Sequence, residues 1–378
     1  MNKIYHIVWN RSSNQWTVAP ETARSHGSGA LKATVAAVLL AFAASAQAAC
    51  PADTGGLFTV STAETCTAAQ SAYTGPRGAG GTVQATAAGS VINITGADVT
   101  ITNTSTANAA YGLLARTGAT INATGNVNAV TNGFAGRAVI GAAGSSIHIG
   151  GNLTATNQTS SQGSGIEMAA GSVLTVGGTT TITTAAADGM RLYGTASFAG
   201  DVVINANNYT HGIYNTGTSN FDGNLTVNTK NVYYAGIRMG GGVLNVAKNL
   251  SVIHNDTPSK GGILMEGGKL TVQGDTNVST NILGVGSIGI SATGAGAIFE
   301  GLGTNNTIST EAANTHGLFA SGAGAVVAVG TAAVTSTGPS VLLGTGNVTT
   351  KGDNAEGIYA LSGASDVTVV ATQSGGSI

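Results

Sequence analysis

The chain has 378 residues, with 14 Lys and Arg against 16 Asp and Glu, a formal net charge of −2. That balance gives no polybasic footprint for nucleic acid or an anionic membrane, and 42% apolar content with only 5 prolines is too aliphatic for a disordered chain. Aromatics at 5% and charged residues at 8% fall below what a compact enzyme carries, whereas 58 glycines among Ala, Thr, Val and Asn suit many short strands.

Residues Ala30 to Ser45 read ALKATVAAVLLAFAAS, shorter than the ~20 apolar residues of a membrane span. The run ends in Ala46-Gln47-Ala48, the small-x-small pattern read by signal peptidase, so cleavage is expected between Ala48 and Ala49. Cys50 raises the alternative of a lipoprotein signal, but Gln47 stands where that signal wants an aliphatic residue. Ahead of the run lies MNKIYHIVWNRSSNQWTVAPETARSHG. Its Met1-Asn2-Lys3-Ile4-Tyr5, Trp9-Asn10, Trp16, Glu21 and Arg24 resemble the extended signal peptide region of large type V secreted proteins. The expected layout is an extension over 1–25, a helical signal segment over 26–48, an N-terminal cap region over 49–82 and a repetitive body over 83–378. Removing the signal leaves 10 basic and 15 acidic residues and no tryptophan. Cys50 and Cys66, the only cysteines, are expected to pair as a structural disulfide in an exported protein.

From Tyr111 onward the chain repeats. The dipeptide Gly-aliphatic recurs at Gly112, Gly165, Gly189, Gly212, Gly236, Gly262, Gly289, Gly317 and Gly357, with Ala138 filling one vacancy. Spacings run from 23 to 28 residues, then 40 for the last, and such a period marks a solenoid. Within each unit apolar residues alternate, as in Leu225-Thr226-Val227-Asn228, which is strand periodicity. One residue after the anchor stand Leu113, Val139, Ile166, Met190, Ile213, Ile237, Ile263, Ile290, Leu318 and Ile358; two further on, only Asn215 is clearly polar. The column between them is mixed, so the strand reads in, out, in. The fold predicted is all-β: a right-handed, single-stranded parallel β-helix of about ten or eleven coils, each rising ~4.8 Å. The last interval, with Pro339 and Val341-Leu342-Leu343, is read as a degenerate coil or a loop.

A β-helical body behind such a signal resembles the passenger of a monomeric autotransporter of the pertactin type. The resemblance implies export through the Sec translocon, an outer-membrane β-barrel translocator as partner, and a place at the cell surface, in the outer membrane or outside the cell. No Asn-Pro-Asn-Gly motif points to the two-partner haemagglutinins, and no heptads point to trimeric adhesins. The chain stops at Ile378 with no barrel in view, which reads as an incomplete passenger, periplasmic if the barrel is truly absent.

Catalytic signatures are sparse. The Gly-Asp-Ser-Gly motif of passenger proteases is missing, and Gly163-Ser164-Gly165 only precedes an anchor. Asp188, Asp201, Asp222 and Asp275 sit beside glycine and read as turn residues. Among His148, His211, His254 and His316, the pair His211 and His316 shares the position before the anchor but stands four coils apart, too far to share a metal, and reads as solvated corners. One constellation stands out: Glu167, Arg191, Tyr214 and Arg238 fall on successive coils of the mixed column, with Tyr193, Tyr209, Tyr233 and Tyr234 close by. Tyr and Arg dominate binding hot spots, so this flank is the candidate site for a host protein, a glycan or another copy of the chain; the alternative is a stabilising ladder. The function expected is that of an adhesin or aggregation factor, not an enzyme, with no cofactor, no metal and no nucleic-acid partner. A structural stalk and a polysaccharide-lyase-type enzyme are the alternatives.

Overall fold

A computed structural model describes residues 5–10, 15–20, 50–208, 211–255, 260–281, 287–333, 337–351, 353–361 and 368–371. The chain divides into two units, 1–49 and 50–378. In the first, Tyr5–Asn10 pairs antiparallel with Gln15–Pro20, setting Trp9 opposite Trp16. These strands belong to the extension; the apolar run expected to be helical and the Ala48–Ala49 cleavage site lie outside the described residues.

The second unit is an all-β parallel solenoid of about ten turns, with no helix among the described residues. Each turn lays down three strands. The anchor strands, such as Ala110–Ala115 and Arg137–Gly141, form the first face. Thr120–Ala123 and Ser146–Ile149 belong to the second, Asp98–Asn103 and Asn126–Thr131 to the third. Every strand pairs in parallel with its counterpart one turn away. Leu113 faces Val139, Ile213 faces Ile237, Ile237 faces Ile263 and Leu318 faces Ile358, so the aliphatic column read from the repeat is a physical stack. From Leu113 to Leu318 its side chains are fully buried in one continuous core. Removing them from water, at about 25 cal/mol per Å², is the main force holding the coil closed.

The anchor glycine has a steric cause. At Gly189, a Cβ would sit 2.4 Å from the Gly212 carbonyl oxygen of the next turn and 2.4 Å from Ile204 Cγ2 of the third face. The chain turns from the third face to the first too tightly for a side chain there. An interior polar column accompanies this corner: Asn103, Thr131, Asn157, Thr184, Thr229, His254, Thr280 and Thr310, all buried. Asn103 donates to the carbonyls of Arg77, Gly80 and Tyr111, Thr131 to that of Ala110 and Asn157 to that of Gly136. The column thus satisfies corner carbonyls that burial would otherwise orphan. Asn215, the polar exception in the aliphatic columns, is likewise bonded, to the carbonyls of Gly217 and Val243 and to Ser219.

One boundary differs from the sequence reading, and one interval that it left open takes a definite form. The solenoid begins within the expected cap region: Phe58–Val60, Thr65–Ala68 and Ala72–Gly75 already pair with the next coil. Residues from Cys50 onward close over that first coil. The Cys50–Cys66 disulfide spans 5.5 Å between Cα atoms, and Asp53 accepts from the Tyr73 hydroxyl and the Ala69 N–H. Burial, with the Asp53 carboxylate beside it, pushes the Tyr73 phenol up to about 12. Near the other end, the 40-residue interval is neither a full coil nor a plain loop. Val326–Val329 and Ser340–Leu343 stack on each other in the second face, while Leu318 still faces Ile358 directly. The insertion therefore adds one rung to a single face. On the outside, Ala333 packs on the cluster of Val326, Ala328 and Leu342. The Ala333 N–H donates to Glu300, which also holds Lys269 at 2.8 Å.

Candidate functional site

Each strand of the first face points two residues outward, and these make two adjacent columns. In one, Glu167, Arg191, Tyr214 and Arg238 lie on consecutive rungs, as the repeat implied. In the other, one residue before the anchor, stand Tyr111, Arg137, Ser164, Asp188 and His211. Rungs ~4.8 Å apart bring long side chains of neighbouring turns into contact, and the two columns knit together.

The ladder starts where the Arg137 guanidinium lies 5.7 Å from the Tyr111 ring and Arg137 Nε donates to Glu167 Oε2 at 2.8 Å. Arg191 reaches Glu167 at 3.7 Å and donates to Asp188 Oδ2 at 2.6 Å. Burial opposes the charge of Arg191, but Asp188 and then Glu167 outweigh it and raise the guanidinium pKa. Burial raises Tyr193 as well, against the opposing pull of Arg191. The other oxygen of Asp188 accepts the His211 backbone N–H at 2.8 Å. The His211 ring packs against Tyr214 and Tyr234, centroids 5.4 and 5.3 Å away. Arg238 then lies over the faces of Tyr214 and Tyr234, at 4.9 and 4.5 Å, and pairs with Glu266 at 2.6 Å. Lys260 ends the series, donating to the Tyr234 hydroxyl at 2.9 Å.

Most of the nominated residues are thus brought together. Tyr193 joins edge-on to Tyr214, and both Tyr193 and Tyr233 are exposed, Tyr233 at 73%. Tyr233 stands clear of the ladder, and Tyr209 lies outside the described residues. Two expectations are corrected. Asp188 is no turn residue: its side chain is 2% exposed and holds the ladder's centre. His211 is not solvated but buried beneath the tyrosines. Asp201 and Asp275 do serve corners, each accepting a backbone N–H from the turn above, Asn224 and Asn305 respectively. Arg137, Lys260 and Glu266 were missed. For Arg137, Asp188 and His211 the signal was available: all three occupy the position before the anchor.

Among the described residues the one grouping with metal-ligand spacing is Cys50, Glu64 and Cys66, and its two sulfurs form the disulfide. The flank offers what an aromatic and cationic surface can do: stack on apolar ring faces at the exposed tyrosines and present charge-balanced guanidinium groups to a partner.

Residues 1–49 match the family model described as the Extended Signal Peptide of Type V secretion system. No curated protein and no solved structure matches the chain. That signal, followed by a parallel β-solenoid, fits an autotransporter passenger, and type V secretion implies Sec export and an outer-membrane translocator partner.

Proposed function

We propose that this type V secretion passenger, a β-helix behind an extended signal peptide, acts at the cell surface as an adhesin or aggregation factor. It engages a host protein, a glycan or another cell through the first-face flank, and it does so by binding, without a catalytic step. The observation that carries this reading is the exposure of Tyr193 beside a row of arginines held rigid by their own partners, with Tyr233, next in sequence to the ladder's Tyr234, exposed as well. Preorganised aromatic and guanidinium groups lose little entropy on binding.

The test uses Tyr193→Ser with Tyr233→Ser, which leave the buried pairs intact, and Arg238→Ser as a third change. Cells displaying the passenger should lose attachment or autoaggregation while its circular dichroism is unchanged. Full attachment by the triple variant would refute the flank as the contact surface. A second reading, a structural stalk, draws on the pairing of Arg137, Arg191 and Arg238 with carboxylates. It expects the same variants to lower stability and leave attachment alone. The lyase-type reading requires carboxylates free for chemistry, whereas Glu167, Asp188 and Glu266 are each tied to an arginine.

A further inference from the structure

The second face ends, at its corner with the third, in a furrow of about 560 Å³ that crosses five successive rungs. One wall is a register column, Asn122, His148, Thr175 and Ser197, whose members face each other turn by turn. The floor is apolar: Gly150, Gly177 and Ala199 lie exposed in it, above the core side chains of Ala123, Ile149 and Val176. Those glycines are fixed by packing, since a Cβ on Gly177 would lie 2.4 Å from the Gly150 carbonyl and one on Gly150 would lie 2.7 Å from that of Thr124. The tight corner thus leaves the strip open as a by-product of its own geometry.

Three properties select an occupant. The furrow runs parallel to the solenoid axis for about 19 Å, four rung spacings of ~4.8 Å, which suits a linear polymer. Its lining has one carboxylate, Asp222, at one end, so nothing recruits a polyanion. Hydroxyl, amide and imidazole groups stand along an apolar floor, the combination that meets the edge and face of a sugar ring. His148 Nδ1 is engaged with Thr175 Oγ1 at 2.8 Å, but His148 Nε2 and Ser197 Oγ bond to no described residue. A pyranose ring is about as long as one ~4.8 Å rung, so successive sugars stay in step with successive turns and each meets one polar group of the wall.

We propose that this furrow is a binding site for a neutral linear polysaccharide lying along the axis, separate from the first-face flank. The test is calorimetric titration of the full exported chain with β-1,4-linked glucose and N-acetylglucosamine oligomers of increasing length, and with heparin as the polyanion. Affinity for a neutral oligomer should rise with length and level off near about four residues. Thr175→Tyr, which fills the furrow, should weaken it at least about tenfold, and the Tyr193→Ser, Tyr233→Ser variant should not. If Thr175→Tyr disturbs the circular dichroism, His148→Ala with Ser197→Ala carries the same expectation. No heat with any neutral oligomer, undiminished binding by the furrow variants, or binding of heparin alone would overturn the proposal.

Discussion

Replacing Ile237 by Ala tests the stack on which the fold depends. Ile237 is fully buried, faces Ile213 below and Ile263 above, and loses three carbons in the change. At ~0.8 kcal/mol per buried carbon the transfer loss is about 2.4 kcal/mol. Hydrogen-bonded rungs on both sides hold Ile213 and Ile263 in place, so the gap cannot collapse and a cavity contribution adds to this. The expected cost is about 3–4 kcal/mol, inside the ~2–5 range for such truncations. Urea unfolding followed by far-UV circular dichroism is the assay, because no tryptophan lies beyond Trp16 to report by fluorescence. In a solenoid each repeat contacts only its neighbours, so hydrogen-exchange protection should fall around Ile213, Ile237 and Ile263 and persist near Ile92 and Ile121. Thr226→Ala, on the outer side of the third face, should cost less than about 0.5 kcal/mol. If the two variants proved equally mild, the stacked interior would not be what stabilises the coil.

Asp188→Asn should cost about 3 kcal/mol in the same assay, because it strips a buried partner from Arg191; Asp201→Asn, at an exposed corner, should cost far less. Burial holds the imidazole of His254 down to about 4, against 6.5 unfolded. Its contribution is therefore complete above about pH 6.5 and is lost as pH falls toward 4, by roughly 3 kcal/mol at ~1.36 kcal/mol per unit. His254→Thr, matching Thr229 and Thr280 on the adjoining rungs, should flatten that slope, and an unchanged pH profile would disprove the assignment. Reducing the Cys50–Cys66 disulfide should destabilise the first coil by about 3 kcal/mol, read as lost protection over residues 58–75 with the central coils unaffected.

What could be read from the residues follows from which forces repeat. The anchor glycine recurs because the corner's close approach recurs, and the aliphatic columns recur because a pleated strand buries every second side chain. Counting from anchor to anchor therefore placed Glu167, Arg191, Tyr214 and Arg238 on one column. Contacts reaching that ladder from the corners and strand ends had no such support: Lys260 and Tyr234 lie on corner segments of unequal length, and Glu266 lies just beyond the anchor strand's paired core. Asp188 was misread for a different reason. Beside a glycine, Asp usually bonds its own turn; here the glycine serves the corner and the carboxylate serves Arg191, so the neighbours in sequence perform unrelated tasks. The extra rung was hidden by the loss of alternation. Val326–Val329 and Ser340–Leu343 are buried on both sides, inward by the core and outward by the cluster on which Ala333 packs. A strand covered on both faces has no period of two to detect, and only its partner in space reveals it.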